Sequence, residues 1–120
     1  MWDLPILRKI YIERRWRAIL AMRWDNRSGN EVLHWDDLPS LIRLAAQRPE
    51  FRRLLPLTSM HRFFVTPTGP VRTNSIPVVW PQGDQRYTLA PFWRGEPFAV
   101  GDAKVVLDAL VERLNRIERL

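Results

Sequence analysis

The chain has 120 residues and a formal net charge of +6, and it contains no cysteine. This length allows one hydrophobic core, so we expect a single domain over residues 1–120. The absence of cysteine excludes disulfides, thiolate zinc ligands and cysteine nucleophiles, and it fits a reducing cytoplasm. No apolar run reaches the roughly 18 residues that a membrane helix needs, and basic residues interrupt the N-terminal segment before it could act as a signal peptide.

The positive charge is concentrated in the first half of the chain. Residues 1–27 carry seven basic residues against three acidic ones, and residues 43–62 carry five arginines against Glu50. Arginine suits the recognition of carboxylates and phosphates, because its planar guanidinium can donate two parallel hydrogen bonds. The two blocks therefore predict either a binding surface for an anionic partner or a solvated charged face.

The first predicted element is a helix over residues 5–24. Asp3 is placed to cap it, Pro5 suits its first turn, and the turn-forming cluster 25–29 ends it. Its apolar stripe at helical spacing consists of Ile12, Trp16, Ile19 and Leu20. A strand over residues 16–24 is the alternative, because apolar and basic residues alternate there.

A second helix is predicted over residues 37–47, with Asp36 or Asp37 as its cap. Its apolar face consists of Leu38, Leu41, Ile42 and Ala45. Proline suits a first helical turn and interrupts a helix interior, so a short third helix is expected from Pro49 to Leu55, ended by Pro56. We expect residues 56–59 to form the turn that leads into the first strand.

Three β-rich runs follow at residues 62–65, 76–80 and 86–89, and turn-forming clusters separate them. They predict an antiparallel meander of three to four strands, with Pro77 at an edge or a strand start. Asp102 then caps an amphipathic helix that carries a Glu112 to Arg116 pair. The expected fold class is α+β: residues 1–56 mainly helical, residues 57–99 a small sheet, and residues 100–120 a helix packed on it.

The residue types that usually perform catalysis form no strong motif in this chain. Neither His34 nor His61 lies in a metal-binding pattern, and no glycine loop suited to phosphate is present, so we expect no metal or cofactor here. Thr58, Ser59 and His61 are the nearest approach to a nucleophile and base. No nucleophile elbow surrounds Ser59, and hydroxyls in a turn bond to the backbone, so we expect no intrinsic enzymatic activity.

From residue 48 onward six segments follow one another as "RPEFRRLLPLTS", "HRFFV", "TGP", "IPVVWP", "GDQRYTL" and "GEPFAVGDAKVVLDALVERL". In this order they resemble the pattern of a family of small bacterial natural-product biosynthesis proteins. In the family pattern a histidine follows the serine directly, whereas Met60 separates Ser59 from His61 here. The resemblance implies an accessory protein of ribosomal-peptide pathways, which forms a heterodimer with a modifying enzyme and binds the precursor's leader peptide.

The resemblance also implies where iron and partners would be found. Multinuclear non-haem iron enzymes have partner proteins of this size, so any iron would belong to the enzyme. The residues expected to contact the enzyme are Trp2, Arg14, Trp16 and Trp24. The residues expected to meet an acidic leader peptide, added as a strand to the meander, are Arg62, Arg72 and Arg86. The alternative is a winged-helix-like regulator whose arginines contact nucleic-acid phosphates.

Overall fold

A layer of helices covers one face of an antiparallel sheet in the computed structural model, which describes residues 5–22, 37–59, 62–66, 76–91 and 96–118. The helices are α1 (Pro5–Ala21), α2 (Leu38–Ala46), α3 (Pro49–Arg52) and α4 (Ala103–Glu118). The strands are β1 (Leu55–Ser59), β2 (Arg62–Thr66), β3 (Val78–Gly83), β4 (Arg86–Ala90) and β5 (Ala99–Gly101). The α+β class is confirmed. In the described residues α1 is a helix, as predicted, and the alternative strand is not formed there.

The sheet is an up-and-down meander in the order β1-β2-β3-β4-β5, with one strand more than the upper limit expected. The expectation of a helix to Leu55 and a turn over residues 56–59 is wrong. These residues form β1, which pairs along its whole length with β2, from Leu55 opposite Thr66 to Ser59 opposite Arg62. Because β1 is an edge strand, Pro56 can lie in it without removing a donor that an interior strand would need.

The strand β3 lies in the middle of the sheet and nevertheless contains Pro81. The register shifts between Pro81 and Gly83, so a bulge accommodates the missing amide hydrogen. The following hairpin turn has positive φ at both central residues, 54° at Asp84 and 58° at Gln85. Positive φ at both positions matches the right-handed twist of the flanking strands.

The hydrophobic core lies between the helices and one face of the sheet. Directly opposite residues of antiparallel strands share a face, and Phe63, Val79 and Leu89 form such a row across β2, β3 and β4. All three are buried in the same core cluster as α1, α2 and α4. The predicted apolar face of α2 is confirmed, since Leu38, Leu41, Ile42 and Ala45 are all buried.

Polar contacts at the helix ends bear out part of the predicted capping. The Asp102 carboxylate accepts a hydrogen bond of 3.0 Å from the Val105 amide and caps α4. The Glu112 to Arg116 pair is present at 2.7 Å. Asp37 occupies the N-cap position of α2, but its side chain makes no capping bond and accepts instead from the Gln85 amide.

None of the helices in the described ranges is long and apolar enough to cross a membrane.

Candidate functional site

The helix α1 carries large apolar side chains on two opposite sides. Ile12, Trp16 and Ile19, spaced by four and three residues, face the core and are buried. On the opposite side, Leu7 and Ile10 are 41% and 45% exposed. Beside them, Ile6 is 67% exposed and Tyr11 is 40% exposed, so the first half of the helix presents an apolar patch to solvent.

Basic side chains surround this apolar patch. Arg14 and Arg17 continue the line of Leu7 and Ile10 towards the end of α1, because the spacing of three and four residues keeps them on one side. Arg14 and Arg17 also line a concavity of about 370 Å³ beside Ile10. We call the outward side of the helix, formed by Ile6, Leu7, Ile10, Tyr11, Arg14 and Arg17, the α1 surface.

A cleft of about 400 Å³ lies between the first half of α1 and the short helix α3. Its apolar lining comes from Ile12 and Pro49. Its charged lining comes from Arg8, Lys9, Glu13, Arg52 and Arg53. We call this the α1–α3 cleft; because Lys9 and Glu13 also line the concavity beside Ile10, the cleft is continuous with the α1 surface.

The assignment of Trp16 as an exposed docking anchor is wrong. Its side chain is completely buried, and its indole Nε1–H donates a hydrogen bond of 3.0 Å to the Leu54 carbonyl. The ring also lies 6.4 Å from the Phe63 ring and beneath the Arg52 guanidinium, at 5.5 Å. Trp16 therefore joins α1 to the sheet and to α3, and a partner cannot reach its indole.

Of the other expected docking residues, Arg14 is exposed on α1, while Trp2 and Trp24 lie outside the described residues. The apolar docking candidates are instead Ile6, Leu7 and Ile10. Sequence reasoning missed them because it followed the stripe of buried positions. The signal was nevertheless present, since residues 6, 7 and 10 project away from the side that carries residues 12, 16 and 19.

Two of the five arginines in the second basic block pair with acidic residues of other elements. Arg48 forms an ion pair of 2.7 Å with Asp108 on α4. Arg52 forms one of 2.6 Å with Glu13 on α1. Hydrogen bonds from Lys104 and Arg48 hold the pKa of Asp108 below its usual value. Arg48 and Arg52 therefore connect the α3 segment to α4 and α1, next to the buried Phe51.

Two of the three arginines expected to meet a leader peptide lie in interior strands. Arg62 is in β2, on the face away from the helices, with its guanidinium 5.2 Å from the Trp80 ring. Arg86 is exposed at the start of β4, which pairs with the edge strand β5. Arg72 lies outside the described residues. A strand added at the β1 edge would be separated from Arg62 by β1, and one added at the β5 edge would be separated from Arg86 by β5, so no added strand can lie near both.

The edge at β5 has exposed apolar side chains. Val100 is 45% exposed, and Phe98 lies just before the strand with the Arg113 guanidinium 3.7 Å from its ring centroid. The edge at β1 differs, because it contains Pro56, whereas both edge strands lie against a helix, β1 against α1 and β5 against α4. These features make β5 the more open of the two edges for main-chain pairing.

The structure describes only some of the residues considered for catalysis. Thr58 lies in β1 opposite Phe63 and is half-buried, while His34 and His61 and the side chain of Ser59 lie outside what the structure describes. Within the described ranges, no three His, Cys, Asp or Glu side chains lie close enough together to hold a metal ion.

The chain matches the model of a family of unknown function, DUF6193, over residues 10–114. The match covers most of the chain, including α1 from Ile10 onward, the whole sheet and most of α4, so the chain belongs to this family. No curated protein and no solved structure matches the chain significantly.

Proposed function

We propose that this member of the DUF6193 family is a non-catalytic partner protein that docks onto another protein through the α1 surface. The observation that carries the proposal is the exposure of Ile6, Leu7 and Ile10 on the solvent side of a helix whose other side is already packed in the core. Contiguous exposed apolar side chains rimmed by polar residues are typical of protein interaction sites.

The partner's surface should combine an apolar groove with acidic residues. Arg8, Lys9, Arg14 and Arg17 stand around the exposed apolar side chains, and charges around an interface raise the association rate and select the partner. Fully burying an aliphatic side chain of this size contributes about 1.5–3 kcal/mol. Ile6, Leu7 and Ile10 are 67%, 41% and 45% exposed, so covering each of them would contribute roughly half of this amount, and the three together a few kcal/mol.

The resemblance to natural-product biosynthesis proteins supports a specific partner. In that setting the partner is the peptide-modifying enzyme encoded beside this protein, and the complex is a heterodimer whose iron, where the enzyme uses iron, belongs to the enzyme. The chain described here then contributes positioning and recognition, and the chemistry occurs on the enzyme.

The docking proposal is tested with two matched substitutions, Ile10→Asp and Val105→Asp. Ile10 and Val105 are both β-branched helical residues, and they are 45% and 47% exposed. Each variant is co-expressed with the neighbouring enzyme, and the affinity is measured with the purified pair. We expect Ile10→Asp to weaken binding at least about tenfold, which corresponds to about 1.4 kcal/mol, and Val105→Asp to bind like the unsubstituted protein.

Two results would contradict the docking proposal. Equal affinity of the Ile10→Asp and Val105→Asp variants would show that the partner binds elsewhere. A homodimer of the isolated protein, dispersed by Ile10→Asp in size-exclusion chromatography with light scattering, would show that a second copy covers the α1 surface. The melting temperature of both variants serves as the folding control, since exposed substitutions usually change stability by less than about 0.5 kcal/mol.

We also propose that the precursor's leader peptide pairs with the edge strand β5. The exposed Val100 and the neighbouring Phe98 favour this edge, and Arg86 in the adjacent strand can meet an acidic peptide. Val100→Lys should weaken binding of a fluorescent leader peptide, because charged side chains discourage strand addition. Wild-type affinity in both this variant and the Arg72→Glu, Arg86→Glu variant would remove the peptide-binding role.

The basic residues of α1 also favour a second candidate, a nucleic-acid-binding regulator. Arg14, Arg17 and Lys9 could contact phosphates, and such binding falls steeply as salt rises, because each neutralised phosphate releases counterions. Fluorescence anisotropy with a single-stranded and a double-stranded oligonucleotide at 50 and 200 mM salt separates the two functions. Tight, strongly salt-dependent binding that the neutral substitution Ile10→Ala leaves intact would favour the regulator over the partner protein.

A further inference from the structure

We infer that the α1–α3 cleft is a carboxylate-binding site, occupied by an acidic side chain of the protein that docks on the α1 surface. The inference rests on the proposed docking function and goes one step further, because it names the chemical group that enters the cleft. Its volume of about 400 Å³ lies within the range of sites that hold small ligands or side chains.

The charge of the cleft lining selects an anion. Four cationic side chains line it, from Arg8, Lys9, Arg52 and Arg53, against the one carboxylate of Glu13. Glu13 is already bonded to Arg52 at 2.6 Å. Cationic side chains therefore outnumber carboxylates in the lining by four to one, and an incoming acidic group would reduce this imbalance.

The Arg52 guanidinium is held in place before any ligand arrives. It lies over the Trp16 ring at 5.5 Å, and it donates to the Glu13 carboxylate and, at 3.3 Å, to the Ala46 carbonyl. A guanidinium has five N–H groups, and these two contacts within the described part of the chain use only some of them. A donor that is already oriented loses little conformational freedom when a ligand binds.

The shape and composition of the cleft favour a carboxylate side chain over a phosphate group. Ile12 and Pro49 provide an apolar wall that can contact the methylene groups of a glutamate, while the planar carboxylate fits the arginine fork.

The cleft and the α1 surface can be filled by the same partner. The concavity beside Ile10 shares Lys9 and Glu13 with the cleft, so no other element separates them. A partner helix or loop whose apolar residues contact Ile10 can therefore place a neighbouring acidic side chain at the mouth of the cleft. This continuity is the reason for choosing a protein carboxylate over a free metabolite.

The test uses the isolated protein and a blocked hexaglutamate peptide as the probe. The peptide is titrated into ¹⁵N-labelled protein at low salt, and both the backbone amides and the Arg52 side-chain N–H signals are followed by NMR. We expect the largest shifts at Lys9, Glu13 and Arg52. A blocked hexaglutamine peptide is the neutral control, and equal shifts with both peptides would contradict recognition of a carboxylate.

Charge-matched variants locate the binding. The pair Arg8→Gln, Lys9→Gln removes two positive charges from the cleft, and the pair Lys104→Gln, Arg116→Gln removes two from α4, away from it. We expect the cleft pair to weaken hexaglutamate binding at least about fivefold more than the α4 pair, if each lost contact is worth about 0.5 kcal/mol. Equal loss in both pairs would mean that only net charge attracts the peptide and would overturn the site.

The substitution Glu13→Gln tests the sign of the effect. It removes the competing carboxylate from the cleft, so hexaglutamate should bind more tightly than to the unsubstituted protein; weaker binding with an unchanged melting temperature would contradict the inference. Competition by inorganic phosphate at lower concentration than acetate would identify a phosphate site instead. These titrations need no enzyme, so they test the cleft separately from docking. Binding of hexaglutamate without docking would contradict only the docking proposal. Docking that depends on Ile10, without binding of hexaglutamate, would contradict only the carboxylate site.

Discussion

Trp16 offers the sharpest test of how the helices are attached to the sheet. Its side chain is fully buried, it donates its indole hydrogen to the Leu54 carbonyl, and it supports the Arg52 guanidinium. Replacing a buried tryptophan by alanine costs about 3–5 kcal/mol through lost transfer energy and the cavity that remains. A domain of this size has a total stability of roughly 5–15 kcal/mol, so Trp16→Ala should remove a large part of it.

A graded pair of substitutions separates the hydrogen bond from the packing. Trp16→Phe retains an aromatic ring but removes the indole donor, which leaves the Leu54 carbonyl without this partner and costs about 1–3 kcal/mol. We expect a loss of about 2 kcal/mol for Trp16→Phe and about 4 kcal/mol for Trp16→Ala. The free energy of unfolding is measured by urea titration, followed by circular dichroism at 222 nm.

The matched control is Leu7→Ala on the same helix. Leu7 is 41% exposed, and alanine has the higher helix propensity, so its substitution should cost less than about 0.5 kcal/mol. A Trp16→Ala protein within about 1 kcal/mol of the unsubstituted one would refute the assignment of Trp16 to the core. Loss of partner binding together with loss of stability in Trp16→Ala reports unfolding, whereas Leu7→Ala can lose binding and remain folded.

Two further substitutions test the packing of the sheet. Burial, and secondarily the Asp37 carboxylate, raises the pKa of Tyr87 to about 12 from its usual value of 10. As the pH rises, the unfolded chain therefore loses the phenol proton before the folded protein does. The contribution of Tyr87 to stability is fully present below pH 10 and falls by an amount on the order of 2 kcal/mol between pH 10 and 12. Urea titrations across this range should show the free energy of unfolding falling with pH in the unsubstituted protein and falling less steeply in Tyr87→Phe. This variant also loses about 1 kcal/mol at pH 7, because it lacks the hydrogen bond to the Asp37 carbonyl. The same pH dependence in both proteins would contradict the raised pKa of Tyr87. Gly101→Ala should cost about 1–3 kcal/mol, because the added Cβ would lie 3.0 Å from both Cβ and Cγ1 of Val105. Val105→Ala in the same chain removes only the Cγ contacts, so it should restore part of the loss, and no recovery at all would contradict a clash with the Val105 methyl groups.

The predicted helices and interior strands agree with the structure where local patterns are strong. The repeat of apolar residues in α4 predicts a buried stripe, and Val106, Leu107, Leu110 and Leu114 are indeed buried. The edge strands were harder to predict. β1 contains Pro56 and two hydroxyl residues that are typical of turns, and β5 has three residues, so both are recognised through their pairing with β2 and β4.

The candidate site, too, is only partly predictable from the sequence. Helical spacing already places Leu7, Ile10 and Arg14 on one side of α1, because side chains three and four residues apart share a side of any helix. Which side is buried is a different matter, since both sides of α1 carry large apolar residues and the choice depends on what packs against them. The sheet and α3 contact the side of Trp16 and leave that of Ile10 exposed.

Local sequence therefore accounts for the helices, the three interior strands, the cap at Asp102 and the uneven charge, because each depends on residues within a few positions of one another. Contacts between distant segments account for the edge strands, the burial of Trp16 and the α1–α3 cleft. The Glu13 to Arg52 pair joins residues 39 positions apart, and the bond from Trp16 to the Leu54 carbonyl joins residues 38 positions apart. No periodicity within either segment encodes such contacts, since they form only when the helices pack together on the sheet.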